Sequence, residues 1–489
     1  MDRPAMPTRV RAAAAAIASL VAFSAVDVRA GDWTFTPSVA VGETYTDNAG
    51  LATGSEVRES DLITSVAPGF RLLGQGGRAT VSLNYTLSRN FYRKDTDRNS
   101  TDNDLLGTGQ VELWDRRLFV DAQSSISRQK GTTGDATSSS AAGQDINRTS
   151  VRVINVSPFF RHHFGTWVET ESRVRVSQVN TDGTEAQDTM STRETFVASS
   201  GRRFTTLQWS LSLDSNKTRN EGDTPSDRER REDANFTYIV SPAFSLLAGV
   251  GHEFIEDSTL TDPPRGITWN LGFASRPSSR TSFRMTYGTR NQSNTLDMQA
   301  SHRLSERTTV LATYSDTLQT SQRLVSNVLG FLAPDPANPG GLIDTRTNAP
   351  FVPSDSDFGL QDPTFRQQVF QLRATGSRRR NDFSGGLVWE KRNTEATGVI
   401  ESIVGGDVAL TRRMSRRSSG SISFGYRATD FGTADSRKDD EITAALSYRY
   451  DIFKDVEGSL TYNLTRRNSN VADEDFVENV ISIRLNKRF

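Results

Sequence analysis

The sequence has no cysteine and only four histidines, His162, His163, His252 and His302. The first absence excludes disulfide frameworks and thiol chemistry. The second leaves little room for a histidine-based catalytic site. The sequence also shows no His or Cys metal cluster and no phosphate-binding glycine loop. We therefore predict a protein that is not an enzyme and that has no cofactor or metal site.

The sequence also has no excess of charge of one sign, since it contains 58 basic and 59 acidic residues. This balance argues against a nucleic-acid-binding protein, which would depend on net positive charge. All but seven of the basic residues are arginine. Codon usage and an array of arginines inside a pore explain this preference equally well.

A long apolar run occurs only at the N terminus. A basic segment, residues 1–11, is followed by an apolar run over residues 12–26. This run of about 15 residues is shorter than the roughly 20 that a membrane-spanning helix needs. The sequence therefore predicts a cleaved secretory signal peptide over residues 1–30, with residues 31–489 as the mature chain. A cut after Ala25 is the alternative.

Alternation with a period of two runs through the rest of the chain. In the last segment, Ile481, Ile483 and Leu485 share one parity, while Arg484 and Asn486 fall on the other. An extended strand places neighbouring side chains on opposite faces, so each such segment has one apolar and one polar face. Short turns and longer polar loops alternate between the segments. This rhythm is typical of up-and-down membrane barrels.

The predicted fold is all-β, a transmembrane up-and-down antiparallel β-barrel of about 22 strands, with roughly 20 to 24 allowed by the soft boundaries. A soluble β-sandwich shares the alternation, but segments of this number and length fit better around a wet lumen with lipid outside. We expect the protein in the cell outer membrane, in contact with outer-membrane lipid. Aromatic residues close to the short turns are expected to form an interfacial girdle: Trp114, Phe119, Phe160, Trp167, Phe204, Phe383, Trp389 and Phe453.

Parity also predicts which charged side chains line the lumen: Arg284, Arg373, Arg427, Arg449, Arg467, Arg484, Asp214, Glu441 and Glu457. Such a lining suits a hydrated polyanion or oligosaccharide in a passive, porin-like conduit. The alternative function is a non-conducting structural or surface-binding barrel that displays extracellular loops. In that case these charges only solvate the interior and pair with each other.

One connection, residues 320–363, is far longer than ordinary links between strands. Apolar residues recur in its first part at three-to-four spacing, which favours a short amphipathic helix: Leu324, Val325, Val328, Leu329 and Leu332. Because apolar side chains are costly on an outer surface, we predict that this loop folds into or over the lumen as a constriction or plug. A surface loop is the alternative.

Two other signals are weaker. His252 has the lipid-facing parity of its strand, the position in which outer-membrane phospholipases carry a histidine. The neighbouring strand offers Ile267 and Trp269 on that face and no nucleophile, so a lipid hydrolase is the least favoured function. Acidic loops at residues 223–233 and 335–362 lack the fixed spacing of a calcium site, which favours solvated loop charge.

The end of the chain resembles the closing strand of bacterial outer-membrane β-barrels. Ile481, Ile483, Leu485 and Phe489 share one parity, and the last residue is aromatic. The resemblance implies that these four residues are an assembly signal for the barrel-assembly machinery. Lys487 departs from the pattern, which usually has an apolar residue there.

A second resemblance rests on the N-terminal region, most specifically on the stretch Glu43, Thr44, Tyr45, Thr46, Asp47 and Asn48. With Pro68-Gly69-Phe70 and Asn84-Tyr85, this stretch is similar to a family of outer-membrane barrels associated with the PEP-CTERM/exosortase system and exopolysaccharide gene clusters of Gram-negative bacteria. The resemblance covers the whole mature chain. It implies a role in polysaccharide secretion or cell-surface assembly, with exopolysaccharide and periplasmic secretion components as partners. From the residues alone, Asp47 and Asn48 are expected to start a loop.

Overall fold

The computed structural model describes residues 31–130, 138, 148–182, 188–220, 227–256, 263–320, 332–334, 342–344, 349–350, 364–395, 397–432 and 436–489. The signal peptide predicted for residues 1–30 lies outside these ranges. In the described part of the chain, no helix has the length and apolar character that a membrane crossing needs.

One antiparallel sheet contains 22 long strands. They are β1 Asp32–Thr46, β2 Asp61–Gln75, β3 Ala79–Tyr92, β4 Ser100–Trp114, β5 Leu118–Lys130, β6 Arg148–Phe164, β7 Val168–Thr181, β8 Thr189–Ser200, β9 Leu207–Asn220, β10 Asp227–Ser241, β11 Phe244–Glu256, β12 Arg265–Ser278, β13 Thr281–Arg290, β14 Ser293–Ser305, β15 Thr308–Gln319, β19 Phe365–Arg378, β20 Asn381–Thr394, β21 Ile400–Arg413, β22 Ser418–Asp430, β23 Lys438–Phe453, β24 Val456–Ser469 and β25 Phe476–Arg488. A second, small sheet consists of β16 Leu332–Pro334, β17 Leu342–Asp344 and β18 Ala349–Pro350, and a 3-10 helix covers Thr96–Arg98.

The large sheet closes on itself because β1 pairs with both β2 and the last strand. Tyr45 stands opposite Leu62 on β2 and opposite Ile481 on β25. Every other neighbouring pair joins strands that are consecutive members of this sheet along the chain, such as β15 and β19. The fold is therefore an up-and-down barrel, and the prediction of an all-β barrel with 22 strands is confirmed.

The two faces of the wall differ as the alternation predicts. On β9, Leu211 and Leu213 are exposed, and on β22 the same is true of Ile422 and Phe424. Because alternate residues point to opposite faces, these apolar side chains define an outward face and the polar residues between them an inward face. A wall of this kind matches hydrocarbon outside and a polar lumen inside.

Connections at one end of the barrel are short, two to six residues each, whereas those at the other end have five or more residues with one exception. We take the short end as periplasmic and the other as extracellular, as in bacterial barrels. One extracellular connection breaks the pattern. Asn291 and Gln292 alone join β13 to β14, with φ of 53° and 55°. These angles are typical of a type I′ turn, so the rim has no long loop at this point.

The predicted aromatic girdle needs two corrections. Phe119 does not face the membrane, because Leu118 takes the outward position beside Phe160 and turns Phe119 into the lumen. There its ring stacks on Phe159 with 5.0 Å between centroids. Trp389 is paired with Val404, an outward residue, but it lies in the extracellular half of β20, far from the short turn. The members of the predicted girdle that are exposed are Trp114, Phe160, Trp167, Phe383 and Phe453.

The outward face also carries tyrosines in the middle of its strands and toward their extracellular ends. Three of them donate a hydrogen bond to a side-chain oxygen on the following strand: Tyr85 to Asn103 (2.7 Å), Tyr426 to Asp440 (2.7 Å) and Tyr462 to Asn479 (2.8 Å). A tyrosine has an apolar ring and a polar tip, so it suits a membrane–water boundary.

Candidate functional site

The structure places all nine predicted lumen residues on the inward face, opposite in parity to the exposed apolar side chains. Four of them lie near the periplasmic ends of their strands and are exposed: Arg284, Arg373, Arg449 and Arg484. We call these four residues the vestibule arginines. They give the periplasmic half of the lumen a wall of accessible guanidinium groups.

Two of the vestibule arginines have acidic neighbours. Arg449 Nε lies 3.1 Å from Glu457 Oε1, and Arg488 Nη2 lies 3.8 Å from the other carboxylate oxygen of Glu457. Arg373 Nη2 lies 3.7 Å from Asp407 Oδ2 across the intervening strand. Because these pairs are exposed, they hold their partners loosely and leave the arginines available to other anions.

Among the described residues, the other two vestibule arginines have no acidic group within salt-bridge distance. Arg284 and Arg484 form no salt bridge with any residue in the described part of the chain. Each still interacts electrostatically with a more distant inward carboxylate, Arg284 with Asp297 and Arg484 with Asp104.

Asp214 lies at mid-height and is held in place by two inward side chains. Its Oδ2 accepts hydrogen bonds from Arg193 Nε at 2.6 Å and from Thr195 Oγ1 at 2.9 Å. The guanidinium of Arg193 on β8 thus neutralises this carboxylate. Asp214 stabilises the wall and does not act as a free acidic site.

A cluster near the periplasmic end of β5 to β7 was missing from the sequence-based set. Arg161 and Arg173 stack over the ring of Phe159, at 4.8 and 3.9 Å from its centroid. Glu171 pairs with both arginines, at 2.7 and 2.9 Å. Phe159 and Arg161 flank the outward Phe160, so the alternation of the strand places both of them inside. The sequence therefore contained the information needed to predict this cluster.

The remaining lumen candidates lie in the extracellular half. Glu441 stands between Arg427 and Arg467 in the register of β22 to β24. Arg467 is only 4% exposed, and its Nη2 lies 3.2 Å from Glu474 Oε2 while its guanidinium stacks 4.8 Å above the ring of Phe476. These charges are therefore part of a packed network and not of an open channel wall.

Burial of inward side chains is general in this half of the barrel. Val153, Phe365, Ile403 and Val480 are inward residues with 0% exposure, and Arg392 has 2%. In a barrel of 22 strands the wall alone leaves a wide interior. Inward residues can be this buried only where other parts of the chain cover them. The lumen is therefore open in its periplasmic half and covered in its extracellular half.

The small sheet lies far around the wall from the strand that precedes it. Its first strand, β16, comes within 8 Å of β4 between Cα atoms. The segment leaves the wall at β15. Ten strands separate β15 from β4 in either direction around the wall. The chain after β15 thus reaches the opposite side of the barrel.

The family-like stretch, residues 43–48, lies where β1 meets β25, which we call the closing seam. On the inward face, Thr44 Oγ1 lies 3.0 Å from Ser482 Oγ, and Thr46 Oγ1 donates to Glu478 Oε1 at 3.2 Å. The same oxygen of Glu478 accepts a hydrogen bond of 2.7 Å from Ser138 Oγ. On the outward face Tyr45 is exposed, and Glu43 accepts a 2.8 Å bond from the hydroxyl of Thr64 on β2.

The last two residues of the stretch fix the extracellular end of the seam. Asp47 accepts two hydrogen bonds of 2.7 Å from Asn479, one from its backbone N–H and one from its side-chain amide. Asn48 is fully buried and donates to the carbonyl oxygens of Val477 and Ala52, each at 3.1 Å. Asn48 also accepts from the Ala52 N–H at 2.8 Å, which starts the loop as expected. The bonds to β25 go beyond that expectation.

The four residues of the predicted assembly signal all face outward and are exposed: Ile481, Ile483, Leu485 and Phe489. Lys487, the departure from the pattern, has its Nζ 4.6 Å from the centroid of the Phe489 ring. The cation thus packs against the terminal aromatic residue instead of interrupting the apolar row.

Sites for enzymatic or metal chemistry are not apparent in the described ranges. His252 stands opposite Ile267 on β12 and Glu232 on β10, so the register gives it no neighbouring serine. Among the residues that the structure describes, no group of three or more His, Asp or Glu side chains could hold a metal ion. Most of the acidic loop at residues 335–362, and part of that at 223–233, lies outside these ranges.

Two comparisons with known proteins yield matches. The model of the family described as "Putative beta-barrel porin 2" matches residues 21–211 and 384–489, more than half of the chain. Among solved structures, a mutant ferric enterobactin receptor PfeA from Pseudomonas aeruginosa, with enterobactin bound, is 9% identical at a TM-score of 0.55, covering 94% of this chain and 82% of that one. No curated protein matches the chain.

Other receptors are similar to the same degree. The siderophore receptor PirA from Acinetobacter baumannii is 8% identical with a TM-score of 0.51, over 92% of this chain and 80% of that one. The FrpB iron transporter from Neisseria meningitidis is 9% identical with a TM-score of 0.51, over 95% and 83%. At these identities the likeness shows a shared fold.

Proposed function

Because this chain belongs to the beta-barrel porin 2 family, we propose that it is a porin-like conduit of the outer membrane for hydrated acidic oligosaccharides or polysaccharides. The observation that carries the proposal is the set of exposed vestibule arginines on the inward face. A guanidinium group binds carboxylate or phosphate oxygens in a planar, bidentate geometry. Rings of positive side chains also lower the barrier for an anion that enters a pore.

The link to exopolysaccharide secretion or cell-surface assembly is a further part of this proposal. It is supported by the resemblance of residues 43–48 to barrels of exopolysaccharide gene clusters, and by the accessible arginines on the periplasmic side. An opening toward the periplasm would accept polymer from periplasmic secretion components. The barrel-assembly machinery would recognise the apolar row that ends at Phe489.

We also propose that the connection of residues 320–363 narrows the conduit. Residues 324–329 of its predicted helix lie outside the described residues, and Leu332 begins β16. Support comes from the burial of inward side chains in the extracellular half and from the position of β16 near β4. A wide barrel of this strand number usually has a plugged lumen.

Single-channel recording in planar bilayers tests the conduit. We expect an anion-selective conductance that acidic polysaccharide blocks from the periplasmic side. Replacing the four vestibule arginines by Gln should abolish the anion preference, because the charge that attracts anions is gone. A control with Lys438→Gln and Arg466→Gln, two cations of the outward face, should keep it. Conductance without anion preference in the wild type would contradict a polyanion conduit.

Deletion of residues 322–360 in the same recordings tests the constriction. We expect a several-fold larger conductance, since the covered half of the lumen would open. Unchanged conductance would contradict the constriction while leaving the conduit intact. If neither wild type nor deletion conducts, the non-conducting barrel that displays surface loops becomes the better account.

A further inference from the structure

Four cations form an unusual group on the outward face of β9 and β10: Lys217, Arg219, Arg228 and Arg230. All four have the parity of the exposed apolar residues on their strands, and all lie in the extracellular third of the wall. We call them the outer cation patch. Within the described residues, none of the four has a salt bridge or a side-chain hydrogen bond.

The register makes this arrangement unfavourable unless an anion is bound. Arg228 stands directly opposite Lys217 in the antiparallel pair. Like charges at directly opposed positions destabilise a sheet. On its other side Arg228 stands opposite Glu256, but no salt bridge joins them. The patch therefore has the geometry of a site that an external anion completes.

Two other outward cations near the same height each have their own acid, whereas Arg466 and Arg89 bond the neutral side chains of Asn468 and Thr101. Arg152 Nη2 lies 2.8 Å from Asp182, and Lys438 Nζ lies 3.0 Å from Asp430. These two pairs show that the wall can supply an internal acid to a cation near the membrane boundary. The outer cation patch lacks one.

The surroundings indicate which anion would bind. Below the patch, toward the membrane centre, the exposed carboxylate of Glu232 on β10 comes first, opposite Leu213 on β9. Beyond it the outward surface is mainly apolar, with Leu211 on β9 and Phe236 on β10 exposed. A ligand seated here would place a negative group among the cations and apolar chains along these side chains. Anionic headgroups attract basic side chains at a membrane surface, and guanidinium groups bind phosphate bidentately.

We propose that the outer cation patch binds the phosphate groups of a glycolipid in the outer leaflet. The acyl chains of that lipid lie against the apolar residues below. The site is separate from the lumen and does not depend on what the conduit carries.

Titration of the purified barrel in detergent with fluorescent lipid A tests this site. The double variant Lys217→Gln/Arg228→Gln should bind diphosphorylated lipid A about thirtyfold more weakly, since each of the two cations contributes of the order of 1 kcal/mol. The matched control Arg152→Gln/Lys438→Gln should bind like the wild type. Dephosphorylated lipid A should bind the wild type as weakly as it binds the variant.

Three outcomes would overturn the proposal. They are wild-type affinity in the patch variant, equal affinity for dephosphorylated lipid A, and full competition by millimolar inorganic phosphate, which would indicate a free-anion site. If the variant fails to fold, the salt dependence of wild-type binding decides. Binding through four cations must weaken as salt rises, and salt-independent binding would contradict it.

Discussion

Asn48 joins three parts of the molecule at one side chain. Its amide bonds the loop that follows β1 at Ala52 and the last strand at Val477, and it has no exposed surface. Neighbouring Asp47 adds two bonds to Asn479. These residues therefore connect the first and last strands where backbone pairing ends.

Removing this side chain should weaken the barrel. In Asn48→Ala, the carbonyl of Val477 and both backbone groups of Ala52 lose their partner in a partly buried position. We expect a loss of about 1–3 kcal/mol in the free energy of unfolding, measured by urea titration of the barrel refolded in detergent. Asn103→Ala, which removes only the acceptor of the half-exposed Tyr85 hydroxyl, is the control. Equal losses in both variants would contradict a special role for Asn48.

Sequence parity predicts which way a residue faces but not what it touches. The inward positions of Arg373 and Arg449 follow from the alternation of their strands. The pairing of Arg373 with Asp407 does not, because it depends on the register of three strands. Likewise the bonds of Asp47 and Asn48 reach residues more than 400 positions away, which no local pattern reveals.

At the scale of strands, the closing seam is the shorter of the two strand pairings that β1 makes. It pairs nine residues of β1 with β25, whereas β1 pairs fifteen residues with β2. Side-chain bonds at its extracellular end compensate for this short ladder. Strand number and turn positions could be predicted because the period of two and the turn residues are local signals. The two-residue turn at Asn291 and the inward side chain of Phe119 escaped prediction, since both depend on neighbouring strands.

A disulfide can test the seam, because the chain has no cysteine of its own. Thr44 and Ser482 stand directly opposite each other, with their hydroxyls 3.0 Å apart. The double variant Thr44→Cys/Ser482→Cys should oxidise readily, since paired strand residues lie within disulfide range. The product migrates as a cross-linked ring on non-reducing gels. The control Thr44→Cys/Ser423→Cys joins strands that are not neighbours and should stay reduced; cross-linking there, or none at the seam, would contradict the closure.

The whole molecule is a wide barrel whose lumen differs between its two halves. The vestibule arginines are exposed in the periplasmic half, whereas inward residues such as Phe365 and Val480 are fully buried in the extracellular half. Composition and period predict the wall and its two faces. They do not predict which inward residues are buried in the extracellular half, because that burial depends on contacts between residues far apart in the chain.

Three single cysteines on one strand, β24, test this arrangement most directly. Ser459 is inward in the periplasmic half, Thr465 is inward in the extracellular half with 3% exposure, and Leu460 is outward with 47% exposure. In proteoliposomes, a membrane-impermeant maleimide with access to the periplasmic side should label Ser459→Cys rapidly and Thr465→Cys slowly. Leu460→Cys should react only with a lipid-soluble maleimide. Rapid labelling of Leu460→Cys by the impermeant reagent, or equal rates at the two inward positions, would contradict the account.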